Sequence, residues 1–138
     1  MAAQDIIIHN SLAAPAQASP DFRGFSLAKL ENLGSLGVIS EKIPAGRQGI
    51  PHYHREGIDI FCILQGNGEL LLADLSADSQ SMLNERRIPV SAGSLYVVPA
   101  GIIHSLSASS DSELVFINVA PPEHLTTDRL FLNQYLQS

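Results

Sequence analysis

From residue 36 to residue 122 the chain repeats one pattern: a short apolar run, then a turn. Turn residues fall at 44–46 (Pro-Ala-Gly), 55–57 (Arg-Glu-Gly), 66–68 (Gly-Asn-Gly), 91–93 (Ser-Ala-Gly), 99–101 (Pro-Ala-Gly) and 109–111 (Ser-Ser-Asp). The runs between them are too short for helices and are rich in Ile, Val, Leu and Phe. Such spacing predicts short strands closing into a sandwich or barrel. No internal repeat of solenoid or propeller length is present. With 45% hydrophobic residues in 138, the chain can bury a core, and its length suits one domain.

The flanks differ from this middle. Residues 6–8 (Ile-Ile-Ile) predict an N-terminal strand, and residues 11–20, small and holding two prolines, a connecting segment. Residues 22–30 suit either a strand or an irregular packed segment. Near the C-terminus, Thr126 or Thr127 is placed to cap a short helix over 128–136, with Asp128 favourable in its first turn. The expected organisation is an N-terminal strand and connector over 1–35, a β-barrel over 36–120 and an extension with a short helix over 121–138, forming one domain.

Charge and cysteine content remove several function classes. The net charge is −6, which disfavours nucleic acid and anionic membrane surfaces as partners. The one cysteine, Cys62, cannot form an internal disulfide or a Cys-rich zinc site. No apolar run approaches the ~18 residues of a membrane span. The first five residues carry no basic stretch of the kind that opens a secretory leader. A cytoplasmic location is the expectation.

Chemistry concentrates in two blocks. If residues 52–54 are extended, alternation puts His52 and His54 on one face and Tyr53 on the other. In the strand that follows, Asp59, Phe61 and Ile63 share one face, and Ile58, Ile60, Cys62 and Leu64 the other. A carboxylate beside Phe61 and Ile63 is costly unless something compensates it. A metal held by two histidines and Asp59 would do so; an ion pair of Asp59 with Arg47 or Arg55 is the alternative. In the second block a strand over 95–98 and the turn at 99–101 lead to His104, a third imidazole able to meet the first two inside a barrel. Arg47 and Gln48, just ahead of the first block, are candidate substrate-orienting groups, and Glu56 is a reserve carboxylate. His9 and His124 lie outside both blocks and read as surface residues. Tyr53 and Tyr96 read as packing residues, and Cys62 as a buried filler.

These blocks resemble the two motifs of the cupin superfamily. The first, Gly-x5-His-x-His-x(3,4)-Glu-x6-Gly, is matched by Gly46, His52, His54, Asp59 and Gly66, with Asp in place of Glu. The second, Gly-x5-Pro-x-Gly-x2-His-x3-Asn, is matched by Gly93, Pro99, Gly101 and His104, with Ala108 in place of Asn. The resemblance implies an all-β double-stranded β-helix, or jelly roll, with residues 67–92 forming the hairpin that joins the motifs. It implies His52, His54, Asp59 and His104 as ligands of a divalent first-row metal ion: Fe, Mn, Ni, Co or Zn. The shorter aspartate is expected to be the weakest of the four. The function implied is a small metal-dependent enzyme of dioxygenase, isomerase or lyase type acting on a small oxygen-bearing molecule. The alternative is a cupin that binds or senses a small ligand without turnover. A homodimer is expected, because the apolar outer face of the 58–64 strand needs a cover that a jelly roll's single interior cannot provide; the chain's own N-terminal segment is the rival cover.

Overall fold

Residues 6–136 are described by a computed structural model. Residues 1–5, where no basic leader stretch is expected, lie outside them. Eight strands follow in order: β1 (Ser26–Asn32), β2 (Gly37–Ile43), β3 (Ile58–Gln65), β4 (Asn67–Leu75), β5 (Met82–Ser91), β6 (Leu95–Pro99), β7 (Ile102–Ala108) and β8 (Leu114–Ala120). Every turn read from the sequence falls at a strand junction, with 67–68, Ser91 and Pro99 taken up as strand ends. The strands form two antiparallel sheets, one ordered β1-β2-β8-β3-β6 and the other β5-β4-β7. Residues 22–30 resolve in favour of a strand, since β1 pairs with β2 from Ser26↔Lys42 to Asn32↔Gly37.

The sheets face each other across a core that includes Phe61, Ile63, Phe116, Leu70, Leu106 and Val90. Alternation on β3 follows the sequence. Asp59, Phe61 and Ile63 are buried, whereas Ile58 stays 47% exposed on the outer side. β4 and β5 form the hairpin expected over 67–92. At Gly66 the chain passes from one sheet to the other in a single residue. Its φ is +92°, and a Cβ there would lie 1.9 Å from the Glu113 carbonyl oxygen, so only glycine fits.

Both flanks depart from expectation. Residues 6–8 form no strand and are exposed. A 3-10 turn at Ala14–Gln17 buries Pro15 and packs on β1 and β2, where Ser40 is fully buried. The C-terminal extension holds no α-helix among its described residues. Pro122–Leu125 and Asn133–Tyr135 are 3-10 turns; between them a turn at 126–128 leads into an extended stretch around Leu130. Tyr53 and Leu130 exchange backbone hydrogen bonds of 3.0 and 2.9 Å. Those bonds satisfy peptide groups of the 52–54 segment, which a helix over 128–136 would leave without partners. Leu132 then buries itself against Ala73 and Ile103 on the outer face of the three-stranded sheet.

Candidate metal centre

The centre begins with a backbone pairing. His52 and His104 lie opposite each other in an antiparallel bridge, with His52 N–H donating to the His104 carbonyl (3.2 Å) and the reverse bond at 2.9 Å. Opposed residues project to the same face, so the two rings lie 4.5 Å apart. His54, two residues along, returns to that face with its ring 5.1 Å from His52 and 5.2 Å from His104. The turn at 55–57 then feeds Asp59 into the same space from the start of β3. The structure thus brings together all four residues of the motif set: His52, His54, Asp59 and His104.

Each of the three imidazoles faces a carbonyl oxygen through Nδ1: His52 to Ile50 (2.8 Å), His54 to Asp128 (2.5 Å) and His104 to Ile102 (3.0 Å). A carbonyl only accepts, so in each case Nδ1 carries the proton. In the neutral ring, Nε2 then presents a lone pair. His54 Nε2 lies 2.8 Å and His104 Nε2 3.1 Å from Asp59 Oδ2. Yet neither Asp59 Oδ2 nor His104 Nε2 has a hydrogen-bond partner. A cation between them resolves both acceptor–acceptor contacts at once. A single proton answers only one of them, and protonating both rings would set like charges about 5 Å apart, at about 3 kcal/mol with an effective dielectric near 20. Burial and the neighbouring His104 and Arg129 also lower the His52 pKa well below the usual histidine value, which keeps that ring neutral. Burial works against the charge on Asp59; protons presented by His104, His54 and His124 hold the carboxyl far below the ordinary range, a role a cation takes over where the Nε2 atoms of His54 and His104 carry none. Neutral imidazoles and an ionised carboxylate about 3 Å apart fit one divalent ion with bonds of about 2.0–2.2 Å. Two overlapping sets could hold such an ion: His52, His54 and His104, or His54, Asp59 and His124.

His124 corrects the expectation of a surface residue, being 4% exposed. The 3-10 turn that opens at Pro122 carries it inward, where its ring stacks on His54 at 3.8 Å between centroids. Its Nδ1 lies 3.0 Å from Asp59 Oδ1 and its Nε2 2.6 Å from the Glu56 carbonyl. Both nitrogens face acceptors, so His124 braces Asp59 by donating from each as the imidazolium, the role of an outer hydrogen-bond partner behind a ligand. Asn118 adds a second brace, donating to Asp59 Oδ1 at 3.3 Å. Two braces answer the missing methylene of aspartate, since β3 places the short carboxylate directly against two imidazoles. Gly57 allows the close approach. Its φ is +77°, and a Cβ would meet Pro121 Cγ at 2.8 Å. Asp128 is no helix-capping charge. Its carboxylate accepts from Arg55 N–H (2.7 Å) and Glu56 N–H (3.1 Å), tying the tail to the turn ahead of Asp59.

The histidines open onto a small cavity of about 80 Å³ between the sheets. That is room for about five water-sized groups at ~15 Å³ each. Arg47 and Gln48 are exposed and do not line it. The charged residues that do, besides the metal set, are Arg23, Glu41 and Arg129. Glu56 offers its backbone carbonyl to His124, and its side chain is exposed. Burial pushes the Glu41 carboxyl up to about 7, against the pull of Arg23 and Arg129. Tyr96 stacks on Phe61 at 4.9 Å as a packing residue, but its hydroxyl is buried with no partner. Burial and the Asp59 carboxylate raise its pKa, so the hydroxyl remains a donor. His9 is partly exposed and meets Glu31 at 3.0 Å.

A two-sheet antiparallel jelly roll with histidines converging on its interior defines a β-barrel of the double-stranded β-helix class. The family profile described as Cupin domain matches residues 40–120, and the chain belongs to that family. Among solved structures it is similar to a conserved protein with a double-stranded β-helix domain from Klebsiella pneumoniae, at 15% identity over 86% of this chain and 91% of that one, TM-score 0.65. It is similar also to a predicted oxalate decarboxylase from Thermotoga maritima, at 21% identity over 78% of this chain and 95% of that one, TM-score 0.61. KdgF from Halomonas sp. matches at 22% identity over 71% of this chain and 81% of that one, TM-score 0.57. These likenesses establish the fold. No curated protein matches the chain in sequence.

Proposed function

We propose that this cupin is a metal-dependent enzyme acting on a small oxygen-bearing molecule, of dioxygenase, isomerase or lyase type. The observation that carries the reading is the set of partnerless acceptors, Asp59 Oδ2 and His104 Nε2, facing each other with His54 Nε2 in a buried site. His52, His54, His104 and Asp59 would hold the ion, with His124 and Asn118 bracing the carboxylate. A divalent first-row ion (Fe, Mn, Ni, Co or Zn) supplies Lewis acidity or, when redox-active, oxygen chemistry. The chain's own groups do the rest. Glu41 holds or releases a proton near neutral pH, as a general acid or base must. Tyr96 donates a hydrogen bond from the cavity wall, and Phe61, Phe116 and Leu106 exclude water around it.

Metal analysis of protein purified without chelator or nickel resin tests the reading. One equivalent of a first-row metal is expected, with turnover of a small hydroxy- or oxo-compound in a substrate screen. Protein that never takes up metal defeats it. Tight ligand capture by the metal-loaded protein, with no product from any compound, replaces the enzyme by a binding module.

We propose further that the chain forms a homodimer through the outer face of β3 and β6. Ile58, Leu95 and Val97 are 47, 68 and 54% exposed there and adjoin in register, Ile58 with Pro99 and Cys62 with Leu95. The N-terminal turn covers β1 and β2 instead. A monomer by light scattering at micromolar concentration refutes this.

A further inference from the structure

Among the described residues, five buried side-chain polar atoms lack a hydrogen-bond partner: Ser40 Oγ, Asp59 Oδ2, Tyr96 Oη, His104 Nε2 and Arg129 Nε. All but Ser40 belong to residues that line the histidine cavity. An unpaired buried polar atom is costly, so their concentration there calls for an occupant. Asp59 and His104 are acceptors and are answered by the metal reading. Arg129 and Tyr96 are donors, and a cation does nothing for them.

Arg129 reaches the cavity through the register of the tail. Leu130 pairs with Tyr53, which faces away from the histidines. Alternation then turns Arg129 and Phe131 to the histidine side. Phe131 confirms this, its ring lying 6.0 Å from that of His52. Arg129 rests over Phe131, with its Cζ 5.4 Å from the ring centroid. Arg23, the other guanidinium of the cavity, is already matched, since its Nη2 meets Asp21 Oδ2 at 2.5 Å. Burial and Arg23 lower the Arg129 pKa, but a guanidinium stays charged at neutral pH.

The charges then point one way. Arg23 and Asp21 cancel. A divalent ion on Asp59 leaves one positive charge, and Arg129 adds another. The groups facing Glu41 are Arg23 and Asp21 ahead of β1 and Arg129 after β8, while its partner on β8 is the uncharged Phe116. An occupant that presents acceptors and one negative charge to Arg129 satisfies both orphaned donors.

We propose that the cavity takes a small molecule with one carboxylate, gripped by Arg129 and met by Tyr96, whose second oxygen faces the histidine cluster. The carboxylate half stands on Arg129 alone, and the second half rests on the metal reading. Ionised Glu41 competes for Arg129, so carboxylate binding takes up a proton and weakens as pH rises through about 7.

Equilibrium dialysis of labelled 3-hydroxypropionate and 3-hydroxypropionamide tests this on the full chain, as purified and after chelation. Wild type at pH 6 is expected to bind the acid at least about tenfold more tightly than the amide, the scale of a lost charged hydrogen bond. Arg129→Gln should bring the ratio within about twofold while the metal content holds, and Arg129→Lys should keep part of the preference. The wild-type ratio should fall between pH 6 and pH 8, and in Glu41→Gln it should not. Equal binding of acid and amide by wild type, an unchanged ratio in Arg129→Gln, or an equally steep pH fall in Glu41→Gln overturns the proposal. Failure of the metal reading looks different. It shows as no metal in the purified protein and no effect of chelation on either compound, with the Arg129-dependent ratio intact.

Discussion

The cavity's two polar groups were built in opposite ways. The histidine cluster comes from residues close in sequence or paired in one ladder: His52 and His54 two apart, Asp59 one turn later, His104 across a bridge. The group around Arg129 joins residues from distant parts of the chain, with Arg23 ahead of β1, Glu41 on β2, Tyr96 on β6 and Arg129 in the tail. The first leaves acceptors without partners and calls for a cation. The second leaves donors without partners and calls for an anion. A cavity that asks for both is suited to a ligand with one end on a metal and a charged end elsewhere.

The largest effect expected from breaking this comparison is on the cation side. His104→Ala should abolish stoichiometric metal while far-UV circular dichroism keeps its β signature, because the core that carries the fold lies beyond the ring. Asp59→Asn should lose metal nearly as fully, since the carboxylate lies against two of the three imidazoles and the amide keeps shape without charge. Metal retained in Asp59→Asn but lost in His104→Ala would restore aspartate to the weak position its length suggests.

Next comes the turn that holds the cluster together. Gly57→Ala meets both a positive φ and a 2.8 Å approach to Pro121. Destabilisation of about 1–3 kcal/mol is expected, read as a lower urea midpoint, along with weaker metal retention as the His124–Asp59 brace shifts. An unchanged midpoint would show that the turn relaxes without cost.

A smaller effect is expected at Glu41. Its folded pKa of about 7 lies above the unfolded value of 4.5, so the folded chain binds the extra proton between them. Stability contributed by this group is therefore present below about pH 4.5 and is lost as pH rises to about 7. Glu41→Gln should flatten that decline in the thermal midpoint, leaving the two proteins closest at acid pH. Parallel profiles would place the raised titration elsewhere.

The smallest effect separates two arginines. Arg47→Ala, at an exposed position off the cavity lining, should change 3-hydroxypropionate affinity by less than about twofold, against the tenfold expected for Arg129→Gln. The reverse order would move the anion site to the barrel mouth.

The cluster was legible because its determinants are local. A period of two puts His52 with His54 and Asp59 with Phe61, and glycine-bearing turns fix where each strand starts. Both follow from backbone geometry that a one-dimensional pattern can express. Residues 128–136 show the limit. Leu130, Phe131, Gln134 and Tyr135 stand at helical spacing, and that segment alone has no reason to be extended. Free peptide groups on the 52–54 segment and a space for Leu132 over Ala73 and Ile103 supply the reason, and both exist only once the barrel has formed. His124 is a similar case. Its neighbours in sequence mark a surface turn, while its partners Asp59 and Glu56 lie more than sixty residues away.

The sequence by itself determined strands β2 to β8, the inward face of β3, the cupin fold and the meeting of three imidazoles with Asp59. These rest on alternation and turn chemistry, which act over a few residues. Tertiary structure alone decided that His124 braces the aspartate, that the tail runs extended, and that Arg129 and Glu41 share the cavity with the histidines. Those outcomes depend on unsatisfied backbone groups and burial between segments far apart in the chain, and such demands arise only when the sheets are already in place.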